Sequence, residues 1–151
     1  MITNAWYSAS LTGQFIQVPA LPLWKRNKAN PPHNKRSVGD FYEALACQYL
    51  TGQGLLLLER NYQCQRGEVD LIMQDPQQQI VFVEVKYRQS ERFGGAHYAL
   101  TPSKQQKLLI TAQHWLLQRG YDPHQTAYRF DYVAINGKQA IDWLTNVIAE
   151  G

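Results

Sequence analysis

The sequence predicts an α/β layer fold with a mixed sheet, in the order αβββαβ(β). Two helical apolar stripes, within residues 44–50 and 108–116, bracket a group of short apolar runs. Turn chemistry separates these segments at Gly52 and Gly54, at Asp75-Pro76-Gln77-Gln78 and at Gly120. A chain of 151 residues, 44% hydrophobic and 18% charged, suits one packed core without collagen-like or coiled-coil bias.

The first helix is expected to begin at Ser37, an N-cap whose hydrogen bond Asp40 can return three residues on. Ala44, Leu45, Ala46, Tyr49 and Leu50 give it a broad apolar face, and Gly52 and Gly54 end it. Glu43 lies one turn before Ala46 and Cys47, on or beside that face. Strands follow at 55–62, 68–74 and 80–87. Thr101-Pro102 opens the second helix as N-cap and first helical residue. Leu108, Leu109, Ala112, Trp115 and Leu116 mark its buried stripe, and Gly120 caps it. A fourth strand spans 129–135, and 141–148 reads as a last short strand or turn-prone extension.

Residues 1–36 form a basic, Pro-containing leader, expected to be flexible, ahead of a domain at 37–151. Pro19, Pro22, Pro31 and Pro32 break its periodicity. Residues 1–38 carry Lys25, Arg26, Lys28, Lys35 and Arg36 and no acid. The remaining ten bases and twelve acids leave the domain slightly acidic within a net charge of +3. Such a leader can attract a polyanion without reading its sequence, or simply be solvated. No apolar run is long enough to span a bilayer, and the N-terminus lacks a signal-peptide pattern, so no membrane association and a cytoplasmic location are expected. Cys47 and Cys64 lack C-x-x-C spacing and read as reduced thiols.

The chemistry concentrates on two neighbouring runs, Gly67-Glu68-Val69-Asp70-Leu71-Ile72 and Val81-Phe82-Val83-Glu84-Val85-Lys86. Asp70 and Glu84 are acids inside otherwise apolar strands, where a charge is costly unless paired or holding an ion. Strand alternation puts Val69, Leu71 and Met73 on one face, and Glu68, Asp70 and Ile72 on the other. The antiparallel register that matches faces sets Ile72 opposite Phe82, Asp70 opposite Glu84 and Glu68 opposite Lys86. Opposed Cβ atoms about 4.5–5.5 Å apart let two carboxylates share one hard cation. Mg2+ or Mn2+ fits an oxygen-ligand site, whereas zinc lacks suitably spaced His or Cys. Lys86 could hold the attacking water or contact a phosphate oxygen. The bland alternative is an acid–lysine ion pair at a sheet rim.

Asp70, thirteen intervening residues and Glu84-Val85-Lys86 resemble the PD-(D/E)xK nuclease signature, with Val69 in place of its Pro. Around it occur Gly39-x-x-x-Glu43, Val81 to Arg88, Phe93-Gly94, Lys104 and Arg129-Phe130-Asp131. Together they resemble the YraN-like family of bacterial proteins, itself similar to archaeal Holliday-junction resolvases. The resemblance covers 37 to about 148. It implies a restriction-endonuclease-like αβββαβ core, its mixed central sheet flanked by helices. It further implies Glu43, Asp70, Glu84 and Lys86 as the catalytic set. Of these, Asp70, Glu84 and Glu43 would hold the metal or its water shell.

The function expected is a metal-dependent DNA endonuclease, with Holliday-junction-like or other branched DNA as the substrate class implied by resemblance. Symmetric cutting of two strands would need a homodimer. The rival is a nucleic-acid-binding or partner-recruiting module that kept the fold and lost turnover, and an RNA-directed nuclease stays open. Arg88, Arg92 and Lys104 are candidate phosphate clamps, and Arg66 is similar, although solvated surface charge explains each. Arg129 and Asp131 share a strand face and read as structural. Phe93-Gly94-Gly95 can be a loop over the site or a tight turn. His97 and His114 read as ordinary surface or core histidines, and Trp115 and Trp143 as core aromatics.

Overall fold

Helix α1 runs Lys35–Gly52, starting two residues before the expected cap. Asn34 is the N-cap, its side chain accepting from the Arg36 N–H at 3.0 Å. Asn caps as well as Ser. Ser37 instead lies inside the first turn, where its hydroxyl donates to the Asn34 carbonyl at 2.9 Å. The computed structural model describes residues 34–89 and 100–148. Most of the expected leader, Arg92, Phe93-Gly94-Gly95 and His97 lie outside the described residues.

Five strands form one sheet in the order β1-β2-β3-β4-β5: β1 Leu56–Cys64, β2 Gly67–Gln74, β3 Ile80–Arg88, β4 Tyr128–Asn136 and β5 Ile141–Leu144. All neighbours are antiparallel except β3 and β4. The parallel pair needs a crossover, which helix α2 (Pro102–Gln118) supplies. Thr101 caps α2 by accepting the Lys104 N–H at 3.2 Å, and Gly120 takes the left-handed φ of 79° just past its end. Strand β5 covers only Ile141–Leu144 of the expected 141–148, and Asn146 beyond it turns left-handed at φ 53°. Ile148 nevertheless returns to the core.

Each face of the sheet buries one helix. Tyr42, Leu45, Ala46 and Leu50 of α1 pack on Leu71, Met73, Val81, Val83, Val133 and Ile135. Leu108, Ala112, Trp115 and Leu116 of α2 pack on Val69, Ile72, Phe82, Phe130 and Tyr132. Each fully buried Leu contributes about 2 kcal/mol of apolar transfer free energy. The result is an αβββαβ core, extended by β5, with a mixed sheet between helices, consistent with a restriction-endonuclease-like architecture. Among the described residues, no helix is long and apolar enough to cross a membrane.

The alternation expected for β2 holds over Leu71–Met73 and breaks at Asp70. Val69 joins the α2-side core, whereas Leu71 and Met73 join the α1-side core. Residue 61 of β1 lies between the pairs Arg60↔Leu71 and Tyr62↔Val69, across from Asp70. It is an asparagine at φ 53°. Both strands therefore turn over together at Asn61 and Asp70, a twist that no period-2 pattern predicts.

Candidate metal and active site

The two halves of the sheet part company at this twist. The β2–β3 ladder runs Gln74↔Ile80, Met73↔Val81, Ile72↔Phe82 and Leu71↔Val83, and stops. Its register is the expected one, but the Asp70–Glu84 and Glu68–Lys86 pairs are not part of the ladder. On one side, β1 and β2 stay paired to Cys64↔Gly67. On the other, β3 and β4 stay paired to Arg88↔Asn136. The strands thus fork, and Asp70 stands at the crotch. Its Oδ2 accepts the Val85 N–H at 2.7 Å, a backbone donor left free by the missing ladder.

Four elements point charged groups at the fork. Asp70 comes from β2 and Glu84 from β3. Glu84 follows Phe82 by two residues and so projects toward α2, where the Lys104 Nζ lies 3.0 Å from its Oε2. Glu43 enters from α1, near enough to Asp70 for their charges to interact. Lys86, one step further along β3 on the Glu84 side, is exposed.

Burial and crowding dominate the electrostatics. Burial pushes the Glu84 carboxyl up to about 7, and the Asp70 charge adds to this, while Lys104 and then Lys86 oppose it. Burial also raises Asp70, against the pull of the Val85 N–H, Lys104 and Lys86. Glu43 is raised by burial, Asp70 and Asp40, and is partly relieved by a hydrogen bond from Asn61 and by Arg60. Two buried oxygens, Glu43 Oε2 and Glu84 Oε2, have no aligned hydrogen bond. The Lys104 ammonium is at ion-pair distance from the second but outside hydrogen-bond alignment. Among the described residues, no three His, Cys, Asp or Glu side chains converge as a metal cluster.

The fork therefore brings Glu43, Asp70, Glu84, Lys86 and Lys104 to one end of the sheet. Arg88 extends the same β3 face, and its guanidinium donates to the Tyr132 hydroxyl. Tyr132 is buried on β4 beside Glu84 and is raised by burial, Arg88 opposing and Glu84 reinforcing. Neither Tyr132 nor Asn61 stands out in the sequence. Tyr132 becomes legible only once the parallel β3–β4 register pairs it with Glu84.

The other candidates fall elsewhere. Arg129 donates to Asp131 (Nε–Oδ1 3.0 Å), Asp75 (Nη1–Oδ2 2.6 Å) and Gln79. Asp131 also accepts from Trp143 Nε1 and the Asn146 N–H. This network ties the β2–β3 turn to β4 and reaches Asp131, opposite Val83. His114 Nδ1 and Tyr62 Oη lie 2.5 Å apart on the α2 side. Trp115 is buried and donates to Glu59. Cys47 and Cys64 are free thiols, and Arg66 is exposed in the β1–β2 turn.

The profile described as "Uncharacterised protein family UPF0102" matches residues 42–135, a span that holds Glu43, Asp70, Glu84, Lys86 and Lys104. A UPF0102 protein of Photobacterium profundum is 47% identical over 121 residues, covering 80% of this chain and 96% of its own length. One from Aliivibrio fischeri (strain MJ11) is 46% identical over 119 residues, 78% of this chain and 96% of its own. Another from Vibrio campbellii (strain ATCC BAA-1116) is 47% identical over 119 residues, 78% and 97% respectively. The matched span is most of this chain and nearly the whole of each relative, so the chain belongs to the UPF0102 family.

Proposed function

We propose that this protein is a Mg2+- or Mn2+-dependent DNA endonuclease whose site is the β2–β3 fork. The observation that carries this reading is a pair of acids, Asp70 and Glu84, brought to the fork, where the Asp70 charge adds to the burial that raises Glu84. A further buried carboxylate oxygen, Glu43 Oε2 of α1, belongs to a group that feels the Asp70 charge. Such an arrangement is unfavourable for the fold alone and is relieved by a hard cation. The donor set fits one: all oxygen, with two buried oxygens lacking an aligned hydrogen bond. Asp70 and Glu84 would hold the ion, Glu43 would contact it or its water shell, and water would fill the remaining positions. When bound, the cation supplies water activation and charge stabilisation at the phosphate.

The chain's own residues do the rest. The Val85 N–H fixes the Asp70 carboxylate. Lys86 is exposed beside both acids, where its ammonium can hold the attacking water or neutralise a phosphate oxygen. Arg88 and Lys104 flank that position as phosphate contacts. In hydrolysis, water oxygen bonds to phosphorus and the bond to the leaving sugar oxygen breaks. Branched or junction DNA is the favoured substrate class. Cutting two strands symmetrically would take a homodimer.

A second reading has its own support. The absence of a three-ligand cluster among the described residues and the Lys104–Glu84 ion pair suit a module that binds nucleic acid without cutting it. Incubation of purified protein with branched, flap, nicked and single-stranded DNA, plus Mg2+ or Mn2+, separates the two. The endonuclease reading expects cleavage that disappears in Asp70→Ala and Lys86→Ala. No cleavage of any substrate, or equal cleavage by the variants, would sink it. Binding unaffected by divalent ions and steeply salt-dependent would then favour the module.

A further inference from the structure

We propose that Lys104 is a built-in counter-cation that occupies the Glu84 carboxylate until a divalent ion displaces it. This deepens the reading of the fork as a cation site and rests on it. The sequence points to Lys86 as the lysine of the site, but the structure gives the ion pair to Lys104, with Nζ 3.0 Å from Glu84 Oε2. Lys104 also opposes the charge repulsion on both acids, ahead of Lys86 in each case. It is therefore the cation paired with Glu84, and Asp70 feels its charge as well.

Its anchorage suits temporary occupancy. The backbone is fixed, because Lys104 is the third residue of α2 and Thr101 Oγ1 accepts its N–H. The side chain is not enclosed: 29% of it is exposed, against 9% for Glu84. The ammonium is poorly aligned with Oε2 for a hydrogen bond, so charge carries most of the contact. A lysine is a flexible point charge on a four-carbon stem, able to swing outward while its Cα stays put. A divalent ion on Glu84 would stand within a few ångströms of that ammonium, and like charges at about 4 Å repel strongly near a protein surface. Loading the site and keeping the ion pair then oppose each other. The two acids stay neutralised when empty, and the lysine is released toward the phosphate side when filled.

The test is Mn2+ binding to the full chain, followed by titration calorimetry and by loss of the free-Mn2+ electron paramagnetic resonance signal. The proteins compared are wild type, Lys104→Gln and Lys104→Arg. The proposal expects Lys104→Gln to bind Mn2+ about tenfold more tightly than wild type, since a competing charge is gone. Lys104→Arg, which keeps the charge, should stay within about threefold of wild type. Without metal, Lys104→Gln should melt at a lower temperature than wild type, and saturating Mn2+ should close that gap. Equal or weaker Mn2+ binding by Lys104→Gln, with wild type still binding, would overturn the competition and leave the cation site standing. Lys104→Arg binding as tightly as Lys104→Gln would overturn it too, because charge would not be the cause. No binding by any of the three would overturn the cation site and the competition together.

Discussion

At the scale of single residues, Glu84 ties the proposed cation site to stability. Its carboxyl is held up to about 7, whereas an unfolded chain would ionise it near 4.5. The folded state therefore keeps a proton that the unfolded state has already lost. Stability contributed by this group falls as pH rises between those values and stays low above them. The penalty at full charge is on the order of 3 kcal/mol. Glu84→Gln should raise the metal-free melting temperature at pH 8, and most of that gain should vanish at pH 5. Thermal denaturation at the two pH values checks this. An equal shift at both would mean that the gain does not come from ionisation.

The acids and the lysine of the fork were legible residue by residue, because charge in an apolar strand is costly enough to demand a reason. Asp70, Glu84 and Lys86 announce themselves in that way, and Glu43 came from the family resemblance. The partner of Glu84 was not legible. Lys104 is twenty residues away and reads as one more surface base until α2 is laid on the sheet. Asn61 was silent for a related reason: nothing in β1 marks it as the residue that reverses the strand.

At the scale of elements, the fork depends on that reversal. Asn61 adopts φ 53°, where a residue with a Cβ carries strain that asparagine tolerates better than most. Its side chain also hydrogen-bonds Glu43. Asn61→Ala should destabilise the fold by about 1–2 kcal/mol, and Asn61→Gly by less. Urea unfolding of the two variants measures the difference. Equal losses would place the role of Asn61 in its side-chain bond rather than in its backbone. Element order, the limits of β2, β3 and β4 to within a residue, and the Ile72↔Phe82 register followed from periodicity and turn chemistry. The early stop of the ladder did not, since alternation describes paired strands and says nothing of where pairing ends.

At the scale of the whole molecule, the sheet is clamped at one end and open at the other. The Arg129 network joins Asp75, Gln79 and Asp131, with both acids buried. Arg129→Met would leave two buried carboxylates without their cation, a change expected to cost about 3–5 kcal/mol. The variant's Mn2+ affinity, measured well below its melting temperature, should stay within about twofold of wild type, because Arg129 is opposite Val81, on the turn side of the fork. A parallel loss of metal binding would show that the two ends are coupled.

The central claim is that the fork between β2 and β3 is a divalent-cation site. Crystals of the full chain soaked in Mn2+ and measured at the manganese absorption edge test it most directly. The account predicts an anomalous peak between the Asp70 and Glu84 carboxylates, with the Lys104 ammonium withdrawn from Glu84. No peak there, with Lys104 still paired to Glu84 at saturating Mn2+, would contradict it.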